Sequence, residues 1–229
     1  MKTNYSSIKL IILFSLSSFV YCSNNGQNLT NKVIKNNDLI SKIESPSLEQ
    51  TQIICDTVYK NKSYRFTLVL FDTTNNFPDE ANNIFTFEKL VNGQYKIIYR
   101  DSIYCENQEI QFKTFTTDNI KSILVKNNKD IRGNWTYYMY KVDTTKDKLI
   151  KIKGFEEIKN PNFIFKCNII DNYVMSGKNW TSFYKLESDS VKHFNIVIYD
   201  NQKELDGNTY KNGYNKALKS ILAKEKSNN

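Results

Sequence analysis

Glycine and proline are scarce in this chain, with seven and three residues in 229, and there is one histidine. That scarcity excludes collagen-like repeats and low-complexity linkers as the bulk of the protein, because both are built from those residues. Four cysteines without a Cys-x-x-Cys pair point away from a zinc cluster and from a thioredoxin-like redox centre. No Gly-x-Ser-x-Gly elbow nominates a nucleophile for the single histidine, His193. Gly177-Lys178 is not the end of a phosphate loop, since position 172 is Asn and Asn179 stands where Ser or Thr is required. The apolar run from Leu10 to Val20 is eleven residues long, short of the roughly 20 that a membrane-spanning helix needs.

Aromatic side chains are abundant instead: 15 Tyr and 14 Phe favour strands packed through large rings. A chain of this length buries a full core as one β domain. The only two tryptophans sit in a repeated phrase, Gly133-Asn134-Trp135-Thr136-Tyr137-Tyr138 and Gly177-Lys178-Asn179-Trp180-Thr181-Ser182-Phe183-Tyr184. Each phrase opens an aromatic and β-branched run that reaches a Lys-aliphatic pair (Lys141-Val142, Lys185-Leu186), a polar turn and a second alternating run. That is strand, turn, strand. A fainter copy runs from Ile84 through Lys89-Leu90 and the Asn92-Gly93 turn to Tyr104. The Lys-aliphatic pairs are 52 and 44 residues apart, near the roughly 40 to 50 residues of a propeller blade.

Upstream, Gln52 to Tyr59, with Ile53, Cys55, Thr57 and Tyr59 on one face, and Tyr64 to Phe71 form a hairpin turned at Asn61-Lys62. Asp72 to Asn83 is a loop, and Glu109 to Phe115 and Lys121 to Lys126 are two more strands. Tyr214, Leu218, Ile221 and Leu222 recur at helical spacing among Ala217 and Ala223, which predicts a helix from about Gly213 to Lys224. The expected fold class is therefore all-β, built of repeated antiparallel hairpins and closed by a short C-terminal α-helix. It is propeller-like or an irregular β-sandwich. Three repeats are fewer than the roughly 4 to 8 blades of a closed propeller, so the sandwich follows unless Ile53 to Phe71 and Glu109 to Lys126 supply further blades.

Lys2 and Lys9 followed by the apolar run read as an export signal ending at Cys22. Cys22 sits where bacterial lipoproteins carry their acylated cysteine, although Tyr21 replaces the usual small residue before it. Ordinary cleavage just after Cys22, with Val20 and Cys22 as the small-residue pair, fits the same pattern. The domain plan is a signal peptide at 1–22, a flexible Asn- and Ser-rich tether at 23–50, a β domain at 51–205 and a helix with basic tail at 206–229. Export permits disulfides, and Cys55 and Cys105, at strand ends, are the expected pair, while Cys167 is read as a small buried hydrophobe in a strand.

The formal charge is +8. It falls to +6 without Lys2 and Lys9 of the leader, and half of that lies in the last 27 residues, where Lys203, Lys211, Lys216, Lys219, Lys224 and Lys226 face only Glu204, Asp206 and Glu225. Such a tail binds anionic surfaces or is simply a solvated end. Five Asn-x-Ser/Thr sequons, at Asn4, Asn28, Asn61, Asn134 and Asn179, reflect chance in an Asn-rich chain. His193 alternates with Phe194, Ile196 and Ile198 and so shares a face with Val191, Asn195 and Val197. Acidic pairs at Glu156-Glu157 and at Glu187 and Asp189 lie in turns, where carboxylates are ordinarily solvated. No catalytic set follows from these residues.

Ile120 to Val125, Arg132 to Tyr138, Lys153 to Pro161 and Tyr173 to Tyr184 resemble stretches of a group of uncharacterised exported lipoproteins of flavobacterial type. The arrangement also resembles, at greater distance, the β-propeller-like periplasmic immunity proteins that protect bacteria from peptidoglycan-hydrolase effectors. Relatives with such repeats carry a calcium loop, whose counterpart here, Thr114 to Ser122, has Asp118 as its sole acid and is too poor for a cage of 6 to 8 oxygens. The Ser176-Gly177-Lys178 loop is similar to short loops that lysozyme inhibitors insert into an active-site cleft. The resemblance implies a partner-binding tip of Ser176, Gly177, Lys178, Asn179 and Trp180, with a cation for partner carboxylates and a ring as anchor. A plain hairpin turn with Trp180 in the core is the competing reading.

The expected function is a non-enzymatic binding protein of the bacterial periplasm or outer-membrane surface, held by a lipid on Cys22. Its specific form is an inhibitor or immunity protein for a cell-wall hydrolase. A structural or adhesive envelope lipoprotein, and a hydrolase built on carboxylates, are the alternatives. No metal, cofactor or nucleic acid is expected.

Overall fold

The computed structural model describes residues 49–74, 77–115, 119–200 and 208–227. The expected leader with Cys22, nearly all of the tether, Asp118 and residues 201–207 lie outside the described residues.

Among the described residues, twelve strands form three four-stranded antiparallel sheets, each taking its strands in chain order. The first holds β1 (Gln50–Ile54), β2 (Tyr64–Leu70), β3 (Asn83–Val91) and β4 (Gln94–Ile103). The second holds β5 (Ile110–Thr114), β6 (Lys121–Lys129), β7 (Trp135–Asp143) and β8 (Lys148–Lys151). The third holds β9 (Pro161–Ile164), β10 (Ile169–Asn172), β11 (Trp180–Glu187) and β12 (Ser190–Tyr199). Helix α1 (Asn208–Ser227) follows. The segments Ile53 to Phe71 and Glu109 to Lys126 supply the opening strands of the first two sheets, not blades of their own. The all-β expectation holds, with sandwich-like packing of sheet on sheet.

Alternation decides which face packs where. Tyr64, Phe66, Leu68, Phe85 and Phe87 of the first sheet meet Ile123, Val125, Tyr140 and Val142 of the second. Leu124 and Met139, pointing the other way, meet Ile170 of the third sheet, with Phe163 and Tyr184 packed alongside. Ile169 and Phe183, on the far side of the third sheet, meet Ala217 and Ile221 of α1. Both faces of the second sheet are therefore buried, which is why Ile123-Leu124-Val125 is a continuous apolar run rather than an alternating one. Ring contacts bridge the first interface, with Phe85 and Tyr140 centroids 4.7 Å apart, and such pairs add about 0.5 to 1.5 kcal/mol beyond area burial.

The repeated phrase opens the third strand of the second and third sheets, and Asn82, just before the fainter copy, precedes the third strand of the first. Its asparagine, rather than its tryptophan, makes the joint between sheets. Asn82, at the head of β3, donates through Nδ2 to Cys105 O at 3.1 Å and accepts Cys105 N–H at 2.8 Å. Asn134, at the head of β7, donates to Met175 O and accepts Met175 N–H, both at 2.8 Å. A side-chain amide thus copies a strand partner, satisfying both polar groups of a residue in the connection to the next sheet (Cys105) or in the β10–β11 loop of the next sheet (Met175). Asn179, heading β11, has no further sheet and turns inward, accepting Ser176 N–H at 2.9 Å and donating to Tyr173 Oη at 2.9 Å. The sequons at Asn134 and Asn179 therefore sit on buried amides already in use.

The Asn92-Gly93 turn forms as expected, with φ of 52° and 78°, values that Asn and Gly tolerate best. Three local expectations fail. Strand β1 stops at Ile54, and Cys55 to Ser63 is a wide turn tied down by Tyr59, whose hydroxyl donates to Lys121 O at 2.6 Å. Cys167 belongs to a 3-10 turn, Phe165–Cys167, because Asn168 takes φ 55° and reverses the chain between β9 and β10. Helix α1 begins at Asn208, five residues before its expected start, because Tyr210 packs against Tyr173 and Tyr214.

The Cys55–Cys105 disulfide is a further correction, since both residues stand as thiols. Strands β1 and β4 are opposite edges of the first sheet. Cys55 is also bonded at the Tyr64 end while Cys105 is bonded beside Asn83. Asn83 and the Lys89 that pairs with Tyr64 are six residues apart on β3, about 20 Å of strand, whereas a disulfide needs Cα atoms within about 7 Å. Burial pushes the Cys105 thiol up to about 12, so little of the reactive thiolate exists at neutral pH. Iodoacetamide at about pH 8 is expected to leave Cys105 unmodified in the native protein and to modify it fully in urea. A Cys55–Cys105 cross-linked peptide in a nonreducing digest would overturn the assignment.

Candidate partner-binding face

Backbone bonds between Val174 and Trp180, at 2.8 and 3.2 Å, close the neck of the loop that carries Ser176 to Asn179. Asn134 grips the loop at Met175 from the neighbouring sheet, and Asn179 grips it from inside. The Ser176 hydroxyl donates back to Lys178 O. Ser176 and Asn179 are thus occupied in shaping the loop, and the hairpin-turn reading describes them. Gly177 and Lys178 are exposed. Lys178 Nζ lies 4.5 Å from the centroid of the Tyr199 ring, close enough for a cation–π contact.

Trp180 is half-buried and stands directly opposite Tyr199 in the β11–β12 register, followed by Ser182 opposite Val197 and Tyr184 opposite His193. Opposed residues project from the same face. This face of the third sheet packs on the second sheet at Tyr184, Leu186 and Val191. Farther along, β12 runs as an edge strand, and the same face is open. Tyr199 is 53% exposed and Val197 41%, and His193 is exposed with its ring stacked on Tyr184 at 4.8 Å. The result is a strip of ring and aliphatic surface beginning at Lys178 and running down two strands. Phe194, Ile196 and Ile198 point the other way, toward α1, as the alternation around His193 predicts.

Tyr173 and Asp200 flank the strip. The Tyr173 hydroxyl donates to Asp200 Oδ2 at 2.5 Å. That bond first, and burial second, hold the hydroxyl above its ordinary pKa. Tyr199 was legible in the sequence, since it shares the alternation of His193 and Val197. Tyr173 was not, because its place depends on a partner 27 residues away.

Two of the acidic candidates are in ordinary surface ion pairs, whereas Glu156 is half-buried, with Oε2 enclosed and without a hydrogen-bond partner among the described residues. Glu187 pairs with Lys192 at 3.5 Å and Asp189 with Lys153 at 3.5 Å, at the tip of the β11–β12 hairpin. A bridge from Lys153 to Ser190 brings the 3-10 turn of Glu156 and Glu157 to that hairpin. Among the described residues no group of three His, Cys, Asp or Glu is placed to hold a metal ion. Comparison with protein-family models, curated proteins and solved structures finds no match to the chain.

Proposed function

We propose that the protein is a non-enzymatic binding protein of the bacterial envelope, exported and lipid-anchored at Cys22. Its partner is an acidic protein of the cell-wall hydrolase class, and it acts as that enzyme's inhibitor or immunity factor. The observation that carries this reading is the open strip of Lys178, Trp180, Tyr199, Val197 and His193. Rings that a fold leaves exposed are the side chains that dominate protein interfaces. The Lys178 ammonium, held over Tyr199, loses less freedom on docking than an unrestrained lysine, and it suits a carboxylate in a partner's cleft. The net positive charge disfavours strongly cationic lysozymes as partners.

A second reading, a structural or adhesive component on anionic polymer, is favoured by α1, where Lys211, Lys216, Lys219, Lys224 and Lys226 are all exposed. One affinity capture from envelope extract separates the two. The Lys178→Ala, Tyr199→Ala variant, matched to the parent in Tm, is expected to bind the captured protein about 100-fold more weakly. Unchanged capture by that variant, together with loss on neutralising the five helix lysines, would replace the first reading with the second.

A further inference from the structure

A second site lies between the first two sheets, away from the strip. The wide turn after β1 and the start of β6 border an open hollow of about 250 Å³, lined by Lys60, Lys62, Lys121, Asn119 and Thr144 among others, and among the described residues no carboxylate lines it. Tyr59 is buried, and its hydroxyl bond to Lys121 O ties the turn to β6, so the cavity walls are fixed to one another. Asn61, at φ 61°, reverses the chain between Lys60 and Lys62. Many other lysines are paired, among them Lys89, Lys126, Lys129, Lys151 and Lys159. Lys60, Lys62 and Lys121 are in no ion pair among the described residues. The carboxylate that feels Lys62 is Asp147, already holding Lys89 Nζ at 2.5 Å and the Tyr64 hydroxyl at 2.5 Å. Asp143, beside Thr144, accepts the N–H groups of Thr145 and Lys146.

We infer that this cavity binds a phosphate group, as a monoester or diester, through Lys60, Lys62 and Lys121, with the Asn119 amide and Thr144 hydroxyl as neutral donors. Three lysines lining one hollow place like charges near one another, and a bound oxyanion offsets their repulsion while offering each ammonium a charge-assisted bond. Side-chain donors of two kinds, arriving from the turn after β1, from β6 and its approach, and from the turn before β8, suit a tetrahedral acceptor better than a planar carboxylate. The volume is below the roughly 300 to 1,000 Å³ of sites for whole organic ligands, so the cavity takes the phosphate and leaves the rest of its bearer outside. That bearer is either a soluble phosphate compound or an anionic lipid headgroup.

The test uses the full chain at low ionic strength, where screening is weak, with inorganic phosphate as the first probe and phosphatidylglycerol vesicles as the second. Calorimetry is expected to show saturable 1:1 phosphate binding, weakened about tenfold by each single Lys→Gln change. It should be abolished in the Lys60→Gln, Lys62→Gln, Lys121→Gln triple variant and retained in the corresponding Arg variant. Lys96→Gln, on exposed β4, is the charge control and should bind as the parent does. Vesicle sedimentation lost in the triple variant and competed by phosphate would name the lipid as bearer. Phosphate binding without that loss would name a soluble one. Equal binding of both probes by parent and triple variant, or binding of neither probe by the parent, would overturn the site. The lysines are on the surface, and an unchanged Tm confirms that each variant is folded.

Discussion

Asn134→Ala is expected to lower stability by about 4 kcal/mol, which for a chain of this size is a fall in Tm of about 10 °C. Asn134 is 1% exposed. Its amide holds both polar groups of Met175, donates to the Asp130 carboxylate at 2.8 Å and accepts from Asn160 Nδ2 at 2.8 Å. Alanine keeps the backbone but removes the bonds of a buried amide to Met175 N–H, Met175 C=O, Asp130 and Asn160, each worth about 0.5 to 1.5 kcal/mol net and more where the partner is charged. Asp130 loses one of the bonds that, with Lys159 and the N–H groups of Arg132 and Asn134, outweigh desolvation and hold its carboxyl below the usual range.

Asn134→Asp preserves shape but replaces the donating Nδ2 with an oxygen aimed at Met175 O and Asp130. It should be at least as damaging at neutral pH. Asn215→Ala, on the exposed face of α1, should stay within about 0.5 kcal/mol of the parent. Urea unfolding gives the energies, and amide exchange at Met175 reports the joint itself. A loss below about 1 kcal/mol for Asn134→Ala would refute the claim that the amide joins the sheets. Asn179→Ala should cost less than Asn134→Ala, because Asn179 braces only its own loop.

Ile221→Asp is expected to have a comparable effect, about 4 kcal/mol, through a different cause. Ile221 is fully buried against the third sheet. A carboxylate there has no cation to meet, since Lys185 and Lys192 are already drawn to Glu225 at the helix end. Helix α1 covers what would otherwise be an open apolar face carrying Ile169 and Phe183. A 20-residue helix with this many lysines owes its stability in water chiefly to that packing. The variant should bind a hydrophobic dye, and Ile221→Ala should lose about 2 to 4 kcal/mol. Ser220→Asp, one residue away and exposed, is the control. Equal stability of the two aspartate variants would show that the helix is not the cover for that face.

Much of this architecture was legible in the chain. The spacing of aromatic and β-branched residues placed the hairpins, Asn92-Gly93 placed the tightest turn, and the repeated tryptophan phrases marked equivalent strands. The side of each strand that carries His193 and Tyr199 followed from alternation. The use of the phrase was not legible. Asn82 read as a loop residue, Asn134 as part of a phrase opening a strand and Asn179 as part of a binding tip or hairpin turn, and nothing local separates an amide that meets solvent from one that meets a backbone 41 residues away. The cysteine pairing failed for the same reason, since two strand ends carry no record of which end of the sheet they reach.

Periodicity is a property of neighbours in the chain, and the sequence by itself determined what depends on neighbours: strand, turn, helix and the two faces of each. Tertiary structure alone decided what depends on distance in space. It set the order in which sheets stack, the burial of the asparagines that join them and the exposure of the Lys178–Tyr199 strip. It also gathered Lys60, Lys62 and Lys121, which the chain separates by up to 61 residues, around one cavity. Those outcomes follow from packing, where one face finds its partner by excluding water and every buried polar group must find a partner as well.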